Sequence, residues 1–282
     1  MKNIGVILIL AMMMGSCSKE ESLETGGTGG GGAGGGGGVG GGVTGAKLVK
    51  IVSSMPLIPT IEITYDASNR MSKILNMEDL GSGPDISSED RYIRDATGRV
   101  IRNESLDDFN DSIAINYVYV NNTDRKVKYG MVGVEPGNDY RDSIAFTYTG
   151  EFCTKIAMYE SQDAGASYDM YEVTTFKYDT KGNLIEVLES DVDAGSITPA
   201  AKYVYEYDNK TNPAYFRDDV LLLRSDALFL SPNNPVKLTF TALQINLSIP
   251  QNVTYQYRSD NKPSKASGTF AGAPYTLTYN YQ

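Results

Sequence analysis

Acidic side chains are the residues of this chain that could most readily hold a metal ion or act in hydrolysis. The sequence contains 35 Asp and Glu residues, with dense groups in LDDFND (106–111) and DVDAG (191–195). Carboxylate oxygens bind calcium, and two carboxylates flanking a glycosidic bond can hydrolyse it. Neither group has the spacing of a complete calcium loop, and both fall where hairpin ends are expected. We interpret them as solvated turn residues and predict no metal site; a paired-carboxylate hydrolase is the alternative.

Histidine is absent from the chain, which removes the Ser-His-Asp triad, Cys-His pairs and the usual zinc sites. The two cysteines, Cys17 and Cys153, offer no internal disulfide framework. Cys153 would need a cation such as Lys155 to become a reactive thiolate, and we expect it to be a packed, inert side chain. The sequence therefore predicts no catalytic residue, no cofactor and a protein that is not an enzyme.

Cys17 stands in a different setting. Lys2 precedes an apolar run from Ile4 to Met14, which is too short to span a membrane as a helix. Gly15 and Ser16 are small, and Cys17 follows at once, so residues 1–16 are typical of a secretory signal peptide. The ending Met-Gly-Ser-Cys resembles a bacterial lipobox, which implies that Cys17 is lipidated and becomes the mature N-terminus. An ordinary signal peptide with an incidental cysteine is the alternative.

The residues just after the cysteine carry a second signal. Lys19, Glu20 and Glu21 resemble the export signal of surface lipoproteins in the Bacteroidota, in which a Lys followed by acidic residues directs the protein to the outer leaflet. The resemblance implies an outer-membrane location, facing the cell exterior, with the lipid as the sole membrane attachment. A chance run of charges is the alternative.

A glycine-rich segment separates this anchor from the rest of the chain. Residues 26 to 45 contain fifteen glycines, which offer no side chains to pack and carry the largest backbone entropy. We expect residues 17–46 to form a disordered tether and residues 47–282 to form one domain. A phosphate-binding loop is excluded because no Lys-Ser or Lys-Thr follows the glycines.

The overall charge limits the partners. A net charge of −10 and a pI near 4.6 disfavour nucleic acid, which requires basic surfaces. We expect a monomer whose partner, if it has one, is a glycan or another extracellular ligand.

A hairpin motif recurs along residues 47–282. ITYDASNRMSKI (63–74), YIRDATGRVIR (92–102) and FKYDTKGNLIEV (176–187) share an apolar residue, an Asp and a Gly or Asn before the next strand. In the first and third the residue before the Asp is Tyr. Asp at the start of such a turn accepts backbone hydrogen bonds, and the Gly or Asn adopts the left-handed conformation. The predicted turn residues are Asp66, Asn69, Asp95, Gly98, Asp179 and Gly182.

Side chains alternate around these turns, with tyrosine on one face and polar residues on the other, as in half-buried antiparallel sheets. About seven repeats of two strands predict an all-β meander of about 14–16 strands, each of about six to eight residues. A flat sheet that wide is unfavourable, so we expect a barrel-like or strongly bent sheet. Asn212 and Pro213 are typical of a helix start, and the spacing predicts one helix near residues 213–230; a further strand pair is the alternative.

The run YEYDNKTNP, the predicted helix, LSPNNPV and YQYRSDNKPSKA together resemble an uncharacterised family of Bacteroidota lipoproteins with Tyr-Asp hairpin repeats. The resemblance covers residues 47–282 and implies a porin-like β fold. Arg94 departs from the repeat where Tyr is expected. The family has no assigned activity, so the resemblance implies fold and location only.

The sequence DSIA occurs at 111–114 and at 142–145. Its first three residues resemble the O-glycosylation signal of exported proteins in these bacteria, which implies sugars on Ser112 and Ser143. We predict a cell-surface lipoprotein that acts as a non-enzymatic binding or interaction module. The alternative function is a polysaccharide hydrolase or a glycan-capture protein of a nutrient-uptake system.

Overall fold

The structure is a computed structural model. It describes residues 46–56, 58–79, 84–107, 112–121, 126–133, 142–161, 167–216, 223, 227–270 and 272–282. Cys17, Lys19, Glu20 and Glu21 lie outside the described residues, as do the rest of the signal peptide and the glycine tether.

The described chain consists of seventeen strands and one short helix. The first nine strands are β1 (Leu48–Ser53), β2 (Thr60–Tyr65), β3 (Met71–Asp79), β4 (Pro84–Arg94), β5 (Val100–Asp107), β6 (Ser112–Tyr119), β7 (Val127–Gly133), β8 (Ser143–Thr149) and β9 (Phe152–Glu160). The remaining elements are β10 (Asp169–Tyr178), β11 (Leu184–Asp193), β12 (Ser196–Thr211), α1 (Ala227–Leu230), β13 (Asn233–Ala242), β14 (Leu247–Asn252), β15 (Thr254–Tyr257), β16 (Pro263–Phe270) and β17 (Ala273–Tyr281).

Every ladder is antiparallel, and the strands form one sheet nearly closed into a barrel. From β1 to β14 each strand pairs with the next, and β1 also pairs with β17. The remaining closure runs through residues 247–257, where β14 pairs with β13 and β15 pairs with β16. At the seam between β17 and β1, Lys47 and Gln282 exchange two backbone hydrogen bonds of 2.8 and 2.9 Å.

The all-β class and the curled antiparallel meander are thus confirmed, with one strand more than the upper end of the expected range. The predicted strand length is wrong, since many strands are longer and β12 has 16 residues. Backbone pairing continues beyond the alternating segments, because neighbouring strands satisfy hydrogen bonds even where the side chains are polar or include a proline.

The turns of the repeat share one geometry at one end of the barrel. The residues that close them have positive φ, with values of 63° at Asn69, 95° at Gly98 and 87° at Gly182. In each turn the Asp carboxylate accepts two backbone amides, as Asp179 does from Lys181 at 2.8 Å and from Asn183 at 2.9 Å. Asp66 and Asp95 make the equivalent pairs of hydrogen bonds.

The tyrosine of the repeat links neighbouring hairpins at this same end. Its hydroxyl reaches the first residue of the adjacent strand, donating from Tyr65 to the Leu48 carbonyl at 2.7 Å, from Tyr119 to Val100 at 2.8 Å and from Tyr281 to Pro263 at 2.7 Å. The residue before each acceptor is a cation over the same ring, namely Lys47, Arg99 and Lys262. We call this end of the barrel the tyrosine end.

Arg94 takes the place of tyrosine in this arrangement. Its guanidinium donates to the carbonyl of Met71, the first residue of β3, at 3.0 and 3.2 Å. The substitution therefore keeps the link between hairpins, because guanidinium and phenol are both donors of sufficient reach.

The described residues between β12 and β13, which are 212–216, 223 and 227–232, include several that pack against the barrel core. The one helix of the described residues, α1, has four residues and lies at the end of the predicted range 213–230. At the start of that range Asn212 forms a local turn, accepting the Ala214 amide at 2.9 Å, and residues 217–222 and 224–226 lie outside the described residues. The Asn212 side-chain amide also donates to the carbonyls of Leu228 and Ser231 at 2.6 and 2.9 Å, which holds the two ends of the segment together.

The two faces of the sheet differ in polarity. The inner face carries the core, including the predicted tyrosine faces of β12 and β17. The outer face carries cross-strand ion pairs of 2.5–2.6 Å, which join Lys50 to Glu62, Lys177 and Lys202 to Glu186, and Lys237 to Glu206. Among the described residues no helix has the length and apolarity to cross a membrane.

Candidate functional site

The barrel interior contains a small apolar cavity of about 30 Å³. One side is the wall formed by β17, β1 and β2, and the other side is formed by β13, the β14–β15 segment and Leu228 of α1. Its lining residues carry no formal charge; they are Ile51, Ile58, Pro59, Ile61, Leu228, Pro235, Val253, Tyr255, Tyr275, Leu277 and Tyr279. Space of this kind accepts apolar groups and disfavours ions, because an unpaired charge loses its hydration there.

Three tyrosines give the cavity its only polar side-chain atoms among the described lining residues. Tyr255 donates its hydroxyl to the Pro235 carbonyl at 3.0 Å, and Tyr279 is its hydrogen-bonded neighbour. Tyr275 is 3% exposed. Its hydroxyl has no protein partner, and burial raises its pKa to about 12. The Tyr275 hydroxyl is therefore a neutral, buried donor at physiological pH.

Carboxylates collect on a different part of the wall, where β10, β11 and β12 run side by side. Glu172 lies opposite Asp191, and Glu189 lies opposite Thr174 in the same ladder. Glu189 accepts the hydroxyl of Tyr203 at 3.3 Å, and Glu172 accepts that of Thr174 at 3.4 Å. We call Glu172, Glu189 and Asp191 the acidic group.

The environment of Glu172 and Glu189 favours their protonated forms. Burial, reinforced by the charge of Glu172, raises the pKa of Glu189 to about 7. Burial and the charge of Asp191 also raise the pKa of Glu172. A carboxyl that is half neutral near pH 7 can act as an acid or change its charge with pH.

The residues that the sequence analysis considered for chemistry are dispersed. Asp191 accepts the Gln244 amide at 3.2 Å, and Asp193 ends β11 beside a turn; Asp108 and Asp111 lie outside the described residues. Within the described ranges, no three acidic or cysteine side chains are grouped to hold a metal ion. Cys153 is fully buried, with its sulfur 3.5 Å from the Lys155 carbonyl oxygen.

The two serines considered for glycosylation open corresponding strands. Ser112 is the first residue of β6 and Ser143 the first residue of β8. Ser143 is partly buried between Met131 and Tyr159 on neighbouring strands. Nothing in this placement tests the modification, which stays a prediction.

Sequence reasoning missed Tyr275 as a distinct residue and missed the acidic group altogether. Glu172 and Glu189 are seventeen positions apart in sequence and meet through strand register, which the repeat alone does not give. The usable signal for Tyr275 was Gly268, since a glycine inside a strand often marks a close approach. The two residues lie opposite each other in the β16–β17 ladder.

No protein-family model matches the chain, and no curated protein matches it. Among solved structures, a porin-like protein from Bacteroides uniformis is similar, with 11% identity and a TM-score of 0.49, over 79% of this chain and 91% of that one. A porin-like protein from Bacteroides vulgatus is similar with 12% identity and a TM-score of 0.43, over 84% of this chain and 99% of that one. At these values the likeness assigns neither a family nor an activity to this chain.

Proposed function

We propose that this chain is a monomeric lipoprotein of a bacterial outer membrane, anchored through Cys17 and facing the cell exterior, that binds a small ligand inside its barrel. The observation that carries the binding function is the uncharged, tyrosine-lined cavity. A binding role requires an enclosed apolar site with few placed polar groups, whereas hydrolysis requires carboxylates facing the substrate.

The charge distribution of the walls supports a barrel that stands in water. The outer face carries Lys177 with Glu186, and Lys237 with Glu206. Such charges are costly against lipid near the middle of a bilayer. Gln256, also on the outer face, is exposed. These residues favour attachment through the lipid of Cys17 alone, with the tyrosine face inside.

The tether enters the barrel at its tyrosine end, because Lys47 precedes β1 there. The opposite end, with the turn at 194–195 between β11 and β12 and the turn at 243–246 between β13 and β14, is therefore the end farther from the tether attachment. Under the proposed anchoring, that end would be accessible to molecules outside the cell.

The hydrolase alternative would use the acidic group. Its favourable feature is Glu189, whose raised pKa suits a general acid. However, no carboxylate is among the described residues that line the cavity, so the binding function is the better supported of the two.

If the ligand binds inside the barrel, a larger side chain that fills the cavity should reduce the binding of an apolar probe. Residues 46–282 should bind xenon saturably, as measured by xenon NMR titration in detergent-free buffer, because a small apolar cavity accepts a single apolar atom. Leu277→Trp should weaken binding at least about tenfold, because the added ring fills the space that the xenon atom needs. Thr278→Trp, one residue along on the outer face, is the matched control and should bind like the parent. Equal binding by both variants would contradict an interior site.

If the lipid on Cys17 is the anchor, replacing Cys17 should move the protein from the membrane to the soluble fraction. Cys17→Ala should leave the protein without lipid and release it from membranes in a high-salt wash, since the short apolar leader is not a stable anchor. Cys153→Ala should remain membrane-bound, because that thiol is buried in the barrel wall. Retention of Cys17→Ala in washed membranes, detected by immunoblotting, would show that the anchor is elsewhere.

A further inference from the structure

Tyr275 differs from the other two tyrosines of the cavity. The hydroxyl of Tyr255 is satisfied by the Pro235 carbonyl at 3.0 Å and by its neighbour Tyr279. The hydroxyl of Tyr275 is buried and has no protein partner. A buried donor without a protein partner is unfavourable until something else accepts its hydrogen, so this position favours an acceptor.

The backbone is shaped to hold that donor in place. Gly268 lies opposite Tyr275 in the β16–β17 ladder. A Cβ atom at residue 268 would lie 2.8 Å from the Tyr275 hydroxyl and 2.9 Å from two ring carbons. Any larger residue at 268 would therefore displace the tyrosine, and glycine allows the ring to lie close over the neighbouring strand.

The remaining lining residues limit what the donor can bind. They are uncharged, so a carboxylate or an ammonium group entering the cavity would be left without a counter-charge. A phenol hydroxyl can donate to a carbonyl, ether or hydroxyl oxygen. The volume of about 30 Å³ admits only a group of a few atoms.

We propose that the cavity binds a neutral, mainly apolar small molecule through a hydrogen-bond acceptor, a carbonyl or ether oxygen, which takes the hydroxyl of Tyr275. This inference rests on the proposed binding function and names the class of ligand for the same site. Tyr275 selects among apolar molecules by requiring an acceptor, while Ile61, Leu228 and Leu277 contact the apolar part.

The test uses two small probes of the same shape, acetone and isobutene. Isobutene has a CH₂ group where acetone has its acceptor oxygen. Their dissociation constants are measured by NMR titration with residues 46–282 and with Tyr275→Phe. Acetone should bind the variant about 5- to 30-fold more weakly than the parent. Isobutene should bind both proteins within about twofold, because it makes no hydrogen bond.

Tyr281→Phe is the control for loss of a tyrosine hydroxyl outside the cavity, since Tyr281 donates to Pro263. It should leave the affinity for both probes unchanged. If Tyr275→Phe fails to fold, Gly268→Ala displaces the same ring and should reduce the preference for acetone over isobutene. Circular dichroism identifies variants that have kept the fold.

Equal affinity of the parent and Tyr275→Phe for acetone would overturn the role of Tyr275 and leave interior binding intact. A single ordered water on Tyr275 that acetone does not displace would likewise overturn it. Failure of both probes and of xenon to bind would overturn the binding function together with the inference.

Discussion

Replacing Phe229 by alanine is expected to lower the free energy of unfolding by about 3–5 kcal/mol. Phe229 has no exposed surface, and its ring stacks on Phe216 with centroids 6.1 Å apart. Phe216 in turn contacts Tyr65 of β2, at 6.2 Å. Truncation at 229 would leave a cavity between the helix and the barrel wall, and urea unfolding of residues 46–282 measures its cost.

Ile245→Ala is the comparison for this experiment. Ile245 is 71% exposed in the turn between β13 and β14, so its truncation should change the stability by no more than about 0.5 kcal/mol. A Phe229→Ala variant that is as stable as Ile245→Ala would show that the segment 212–232 does not pack inside the barrel in solution.

Glu189→Gln is expected to stabilise the protein at pH 8, by roughly 2–3 kcal/mol, and to have little effect at pH 5. Burial, and then the charge of Glu172, raises the pKa of Glu189 from 4.5 to about 7 in the fold. Between these values the folded protein binds more protons than the unfolded chain, so the free energy of unfolding falls as pH rises. Glutamine has nearly the same shape and no charge, so the variant lacks this loss.

The measurement is the melting temperature from pH 5 to pH 8. The parent should lose stability across this range, and Glu189→Gln should show a flatter profile. Glu206→Gln is the control, because Glu206 lies on the outer face and is paired with Lys237 at 2.6 Å. Parallel profiles for the parent and Glu189→Gln would mean that Glu189 is well hydrated and that its ionisation does not lower the free energy of unfolding.

The repeated hairpins could be predicted because each is encoded by residues that are close in sequence. The turn at 66–69 depends only on Asp66, Asn69 and the residues between them. The buried face of β12 is predicted by the placement of Tyr203 and Tyr205 at alternate positions of the strand. The bent antiparallel sheet then follows from the number of hairpins.

Long-range features could not be predicted in this way. The closure between β17 and β1 joins the two ends of the domain, and the equivalence of Arg94 to tyrosine depends on the reach to Met71 of a neighbouring strand. The acidic group likewise depends on the register of β10 against β11. The helix was predicted to begin at residue 213, but residues 213–216 are not helical. Asn212 and Pro213 also suit a tight turn, and the structure uses Asn212 for one.

The seam between β17 and β1 has a mechanical consequence. Lys47 and Gln282 are hydrogen-bonded neighbours, and Lys47 directly precedes β1 at this seam. A force applied through the residues before Lys47 would load β1 along its length against β2 and β17 together, in shear, with several hydrogen bonds sharing the load. The Lys47 ammonium lies over the ring of Tyr65, and the Tyr65 hydroxyl donates to the Leu48 carbonyl, at the point where that force would enter. Under the lipid anchoring proposed above, the barrel would be held at this reinforced position.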